Sequence, residues 1–405
     1  MYPSIYDMFY DLFGVQWLPL KFVQTFGFFV ALSFLASNFV MTIELKRKEK
    51  EGLIQGQTTY FWEGKMSPWS DFLTTALTGF LLGWKILYAF THLSEVSSNP
   101  QAFILSSQGS VLLGVSVAAL LTGYKYYAEN KAKLEKPVKH ERIRHPYEIM
   151  GNVTLIAAVA GFAGAKIFHH LENWDEFMAD PIGALSSPFS GLTFYGGLIC
   201  GGAAVLWYAA KNGVPWRIML DVGAPTMMLA YALGRVGCHM SGDGDWGIVN
   251  TAPKPGWMSF LPDWIWSYNY PNNVNQVCNP FTGNEAMMHS CNWEETPYLI
   301  APVFPTPFYE TLVCLLLFGL IWMVRRKFAV AGTLFFFYLI LNGLERFMIE
   351  KIRVNTKYHW GSLEITQAEI ISFTFVIVGV FMLWYLIRSE KKNTKSKPEF
   401  NPSDL

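Results

Sequence analysis

Two arginines stand where a cation is expensive. Arg235 closes one apolar run, in Leu-Gly-Arg-Val-Gly-Cys-His-Met-Ser-Gly-Asp-Gly-Asp-Trp-Gly (233–247), and Arg346 closes another, in Leu-Glu-Arg-Phe-Met-Ile-Glu (344–350). A charge inside an apolar span costs roughly 2.5–3.5 kcal/mol on insertion scales, so it marks either a functional site or a buried pair. A guanidinium fork matches a phosphate through two parallel hydrogen bonds, and the pairing strengthens away from bulk water. If the two runs cross a bilayer in the same direction, both arginines reach one depth, where the obvious anion is a lipid headgroup. Glu350 lies four residues after Arg346 and shares its helix face. The plain alternative is structural: Arg346 pairs with Glu350 or Glu345, and Arg235 with Asp243 or Asp245.

Other residues are weaker pointers. The glycines after Arg235, including Gly237 and Gly247, let backbone approach a ligand closely. Tyr195-Gly196-Gly197 opens a further apolar run, and Tyr195 reads as a belt aromatic or as a functional hydroxyl. Gly197 with Gly201, and Gly161 with Ala165, read as small-residue helix packing. Lys166 contacts phosphate or extends its ammonium to the interface. The adjacent His169 and His170 face different sides of a helix, which is poor metal geometry. His-Glu-x-x-His, paired carboxylates at metal spacing and a phosphate-binding loop are all missing from the sequence, so neither a metal nor a cofactor is expected.

The elements that must carry these residues follow from composition. Of 405 residues, 52% are hydrophobic and 15% charged, against about 25% charged in an average soluble protein. Mean hydropathy is positive. These values exclude a soluble enzyme and a disordered chain. With 31 basic and 31 acidic residues, no nucleic-acid partner is suggested. The expectation is an all-α polytopic membrane helix bundle. Nine apolar runs are long enough to span, at about 22–43, 70–92, 104–124, 149–170, 192–210, 217–237, 308–324, 329–350 and 366–387. Twenty-two of the 31 Lys and Arg residues fall in alternate connections and the tail, and five in the remaining segments. That asymmetry puts the N-terminus outside and the C-terminus inside, which demands an odd number of spans. The first twenty residues lack a cationic n-region, so no cleavable signal peptide is expected.

The segment 238–307 is the main outside feature, with Trp246, Trp257, Trp264, Trp266 and Trp293; it reads as an interfacial cap or as a lid. Cys278 and Cys291 share it and could pair in an oxidising compartment. Residues 388–405 form a basic tail. Residues 79–130 match 161–212, with Lys85 on Lys166 and Gly114 on Gly196, which reads as a two-span repeat. The expected organisation is 1–146, N-terminal spans including the extra repeat copy, then a membrane core at 147–387.

The residues now on the page resemble the prolipoprotein diacylglyceryl transferases of the bacterial inner membrane, over about 147–387. Gly234-Arg235-Val236-Gly237 through Asp243, then Trp246-Gly247, resembles the family's Gly-Arg-x-Gly-Asn-Phe-x-Asn-Gly-Glu-x-x-Gly. Glu176-Phe177-Met178-Ala179-Asp180-Pro181 precedes the fifth span. Phe194-Tyr195-Gly196-Gly197-Leu198-Ile199 looks like Phe-His-Gly-Gly-Leu-Ile. Pro305-Thr306-Pro307-Phe308-Tyr309-Glu310 is similar to Pro-Ser-Gln-Leu-Tyr-Glu, and Arg346-Phe347-Met348-Ile349-Glu350 to Arg-Phe-Ile-Val-Glu.

The resemblance implies a multi-pass inner-membrane enzyme. It would move the diacylglyceryl group of phosphatidylglycerol to the lipobox cysteine in the signal peptide of a preprolipoprotein, releasing glycerol phosphate. Arg235 and Arg346 would stabilise charge growing on the leaving phosphate, and Glu350 would orient Arg346. Gly237 and Gly247 would shape the cavity, with Lys166, Gly196, Gly197, Tyr309 and Glu310 binding substrate. The sequence departs from the family at the histidine before Gly-Gly, which is Tyr195 here. A phenol with pKa near 10 is a poor base at pH 7, so Tyr195 would donate a hydrogen bond to phosphate and His239 is the substitute base. Cys238 and Asp243 replace a family Asn and Glu. The reading from another class is a transporter or lipid-binding scaffold without transferase activity. It would place its ligand at the midplane in broken helices.

Overall fold

The computed structural model describes residues 1–92, 103, 106–186, 191–280, 291–355, 357–360 and 363–395. Its elements, in chain order, are α1 (Ile5–Phe13), α2 (Thr25–Lys50), β1 (Gln57–Glu63), α3 (Trp69–Leu81), α4 (Val111–Lys131), β2 (Val138–Arg144), α5 (Met150–Glu172), α6 (Phe194–Lys211), α7 (Trp216–Ser241), α8 (Thr306–Val324), α9 (Thr333–Ile349), β3 (Lys357–Trp360), β4 (Leu363–Thr366) and α10 (Gln367–Lys395). In lipid a helix satisfies every backbone group internally, and the chain is mostly helical, as expected of a helical membrane protein.

Among the described residues, six helical segments are long and apolar enough to cross a membrane, against the nine expected: Thr25–Lys50, Trp69–Thr91, Val111–Lys131, Pro146–Glu172, Thr306–Lys327 and Gln367–Lys391. The other three fall short for reasons visible in their residues. Gly196, Gly197, Gly201 and Gly202 dilute α6; α7 carries Arg217, Asp221 and Arg235; and α9 has 17 residues with Glu345 and Arg346 among them. The third expected span also starts late. Its helix begins at Val111, where the Ser110 side chain accepts from Leu113 N, and Gly109 before it sits at φ 148. The residues upstream cap Lys85 instead, whose Nζ donates to Phe103 O at 2.9 Å, Ser106 O at 2.5 Å and Gln108 O at 2.8 Å.

The all-helical expectation also missed two antiparallel ribbons. β1 pairs with β2 from Gln57↔Arg144 to Glu63↔Val138, and β3 pairs with β4 from Lys357↔Thr366 to Trp360↔Leu363. Thr58, Thr59, Tyr60, Phe61 and Trp62 suit a pleated surface, but they form no apolar run that a search for spans would catch.

The chain divides into two compact units: Met1–Gly14, Val23–Lys50 and Val214–Leu405 form one, and Val15–Phe22 with Glu51–Gly213 the other. The second unit contains two helical hairpins, α3 with α4 and α5 with α6. Each closes through glycine. A Cβ on Gly83 would lie 2.9 Å from Gly114 Cα, and one on Gly164 would lie 2.5 Å from Gly196 O. Both hairpins thus bring a glycine of one helix close to the backbone of the other.

In the first unit α7 packs against α2, α8 and α9, and α9 packs against α10. Ala224, Met228, Ala232, Cys314, Ile321, Leu334 and Tyr338 form its core. Asp221, buried in α7, accepts from Gly332 N at 2.8 Å and Phe335 N at 3.2 Å, tying down the start of α9. The segment between α7 and α8 has its own small core of Trp246, Tyr270, Val277, Leu299 and Val303. Cys278 and Cys291 form a disulfide with Cα atoms 6.2 Å apart, within the ordinary span of such a bond.

Candidate active site

Three helix ends build the site. Arg235 is in the last two turns of α7, Arg346 in the last turn of α9, and Glu310 in the second turn of α8. Because α8 begins at the end where α7 and α9 finish, all three side chains reach one level. Glu310 is fully buried and is the hub. Its carboxylate binds Arg235 Nε, Arg346 Nη1 at 3.2 Å and Arg353 Nη1 at 3.1 Å. Asp245 bridges two of the same cations, pairing with Arg235 Nη1 and with Arg353 Nη2 at 2.7 Å. Glu350 takes the far side of Arg346 at 3.0 Å and accepts from Asn355 Nδ2 at 2.5 Å.

Of the structural pairings the sequence allowed, Arg346 with Glu350 and Arg235 with Asp245 form. The arginines are also joined to one another through Glu310, which isolated pairs would not do. The Tyr231 ring lies 5.1 Å from the Arg235 guanidinium. Arg353 Nε is buried without a hydrogen-bond partner among the described residues. The result is a set of fork-shaped donors fixed by carboxylates, with guanidinium planes held in place before a ligand arrives.

Electrostatics separate the two acids after Arg235. Burial pushes Asp245 up, but the Arg235 and Arg353 guanidiniums outweigh it and hold the carboxyl below its ordinary value. Burial, then the charge of Asp245, push Asp243 up. Cys238, Asp243 and Asp245 bring possible ligand atoms within 4.8 Å of one another. Asp245 is already engaged by two guanidiniums, whose charge opposes a cation there.

The remaining residues in this unit frame the cluster. Gly247 N donates to Phe304 O at 2.8 Å, and Gly247 forms an isolated bridge with Arg353. A Cβ on it would meet Ile352 O at 2.5 Å, so this glycine lets the segment after α7 lie against the irregular backbone that carries Arg353. Gly237 faces Phe26 and Phe29 on α2, and so acts in packing. Tyr309 donates its hydroxyl to Ile265 O at 2.5 Å. His239 sits among aromatic rings, with Trp264, Tyr268, Tyr270 and Phe308 centroids 5.6–6.0 Å away and Nδ1 3.2 Å from Tyr270 Oη.

Lys166, Tyr195, Gly196 and Gly197 belong to the second unit. Gly196 and Gly197 pack against α5, where a Cβ on Gly197 would lie 3.1 Å from Gly161 O. Lys166 lines a cavity of about 70 Å³ with His169, His170, Asn173 and Glu176.

Sequence reasoning missed Arg353. It falls past the helix, in a connection rather than an apolar run. The available signal was an arginine seven residues after Arg346 on the side poor in basic residues.

Comparison with known proteins agrees with the motif likeness. A family model described as prolipoprotein diacylglyceryl transferase matches residues 115–385, starting inside α4 and so upstream of the residue 147 from which the likeness was traced. The phosphatidylglycerol–prolipoprotein diacylglyceryl transferase of Corynebacterium glutamicum is 27% identical over 297 residues, covering 72% of this chain and 81% of that protein. A protein of the same name from Dehalococcoides mccartyi is 26% identical over 310 residues, covering 74% and 98%. One from Leptospira interrogans is 23% identical over 296 residues, covering 60% and 80%.

Proposed function

This chain belongs to the prolipoprotein diacylglyceryl transferase family, and from that premise we propose that it alkylates the lipobox cysteine of preprolipoproteins with the diacylglyceryl group of phosphatidylglycerol. Glycerol phosphate is the leaving group. The observation that carries the reading is the convergence of Arg235, Arg346 and Arg353 on buried Glu310.

The chemistry needs what this cluster offers. The acceptor sulfur attacks the glyceryl methylene, and the carbon–oxygen bond to phosphate breaks. A phosphate diester carrying one negative charge becomes a monoester carrying more. Arg235 and Arg346 hold that growing charge, which is worth most in a site shielded from water. Glu350 and Glu310 fix the planes of the arginines and so reduce reorganisation during the reaction. His239 keeps the aromatic wall in register through Tyr270.

In this reading the chain spans the bacterial plasma membrane nine times, with its N-terminus outside. The arginine cluster then lies near the outer leaflet, where exported lipoprotein precursors arrive. The disulfide in the outside segment accords with an oxidising compartment. Grouping of the charges at one set of helix ends speaks against a midplane transport site.

Expression in cells depleted of their own transferase tests the function. The wild-type chain should restore lipidation of a reporter lipoprotein, while Arg235→Ala and Arg346→Ala should insert normally and fail to restore it. Lack of rescue by inserted wild-type protein would refute the reading.

A further inference from the structure

Glu345 is left out of the arginine cluster. Its side chain is 7% exposed, and neither carboxyl oxygen has a hydrogen-bond partner among the described residues. A buried polar group in that condition costs about 1–3 kcal/mol, and more when charged, so its presence calls for an explanation. Glu345 lines a cavity of about 180 Å³ together with Glu310, Val313, Met348 and Ile349. That space is several times what one water requires. Its walls come from α8 and α9, and Met348 at the rim is 70% exposed. The cavity therefore opens on a helix face that a bilayer would cover.

The neighbours on α9 divide the work. Consecutive helical residues point about 100° apart, so Arg346 joins the cluster while Glu345 faces the crevice beside it. Glu310 borders both. A thiol brought to this crevice would lie next to the groups that hold the phosphate, with a bare carboxyl alongside.

We propose that Glu345 accepts the proton of the acceptor thiol, a step that rests on the transferase reading. A thiol with pKa near 8.5 is mostly protonated at neutral pH and must ionise to attack. The S–H bond breaks and its proton goes to a Glu345 oxygen. The freed sulfur pair forms the S–C bond to the glyceryl methylene. The C–O bond to phosphate breaks with its electron pair on oxygen, against Arg235 and Arg346. The proton then passes to the departing phosphate monoester, which resets the carboxylate.

The test uses the full-length protein in mixed micelles with phosphatidylglycerol and two synthetic lipobox peptides, one with cysteine and one with selenocysteine. A selenol is ionised at neutral pH and needs no base. Glu345→Gln should lower transfer to the thiol peptide by about 100-fold or more, the usual scale for a lost acid–base group. Transfer to the selenol peptide should fall less than about threefold. Equal loss with both peptides would mean a structural role, and no loss with the thiol would mean a dispensable carboxyl; either overturns the proposal. Should Glu345→Gln not accumulate, Glu345→Asp replaces it and should again lower thiol transfer more than selenol transfer; a parallel change overturns the proposal. Failure of wild-type protein with both peptides would instead refute the transferase reading itself.

Discussion

Glu310→Gln is the sharpest perturbation of the cluster, because it keeps volume and removes only charge. Glu310 is fully buried and meets three guanidiniums, two of them at 3.1 and 3.2 Å. A unit charge pair at 4 Å is worth about 4 kcal/mol at an effective dielectric of 20, before desolvation is counted. Breaking a buried ion pair by removing one partner costs about 3–5 kcal/mol in practice. Three arginines then repel one another with Asp245 and Glu350 as the remaining counter-charges. We expect the thermal midpoint to fall by at least about 5 °C, from the usual scale of a few degrees per kcal/mol. Displacement of a guanidinium by an ångström costs about 100-fold in rate, so transfer should drop by that much or more. Tryptophan fluorescence on heating gives the first number, and mass analysis of a lipobox peptide gives the second. Glu350→Gln is the control, since it releases only Arg346 and Asn355, and should cost tenfold or less. A Glu310→Gln protein with wild-type rate and midpoint would refute the claim that this carboxylate organises the site.

Arg353→Lys should lower transfer by at least about tenfold in the same peptide assay, because an ammonium cannot replace a fork that bridges Glu310 and Asp245. Thiol titration in denaturant should count three thiols before reduction and five after, since Cys200, Cys238 and Cys314 are free while Cys278 and Cys291 are bonded. The Asp245 carboxyl is held below its ordinary value, so its stabilising contribution is present above the unfolded pKa near 3.9 and is lost as pH falls through the lower folded value. Melting curves from pH 6 to 3 should steepen their decline below about pH 4, and Asp245→Asn should remove that component.

Arg235 and Arg346 were legible in the sequence because a charge in an apolar run has few explanations. The helical membrane character was legible because the chain has so few charges to interrupt its apolar runs. Glu310 was reached only through motif likeness: beside Thr306 and Tyr309 it looks like an ordinary helix-start acid, and only folding makes it the point where three arginines meet. Arg353 and Asp245 sit in irregular backbone, where no periodicity announces which way a side chain will face. The late start of α4 was hidden for a similar reason. Phe103, Ile104 and Leu105 are apolar, but Ser106–Ser110 turns its carbonyls toward Lys85 instead of continuing a helix. The bare state of Glu345 was equally invisible, since sequence shows a residue's type and never its missing partner.

The most direct measurement of the central claim follows both products of a single reaction. Purified protein, phosphatidylglycerol labelled in the headgroup glycerol and a lipobox peptide are combined, and peptide thioether and released glycerol phosphate are quantified together. The account predicts equal amounts of each with the wild-type chain, and neither above background with Arg235→Ala or Arg346→Ala. Thioether formed at the wild-type rate by either arginine variant, or lipid bound by the wild-type chain without either product, would contradict it.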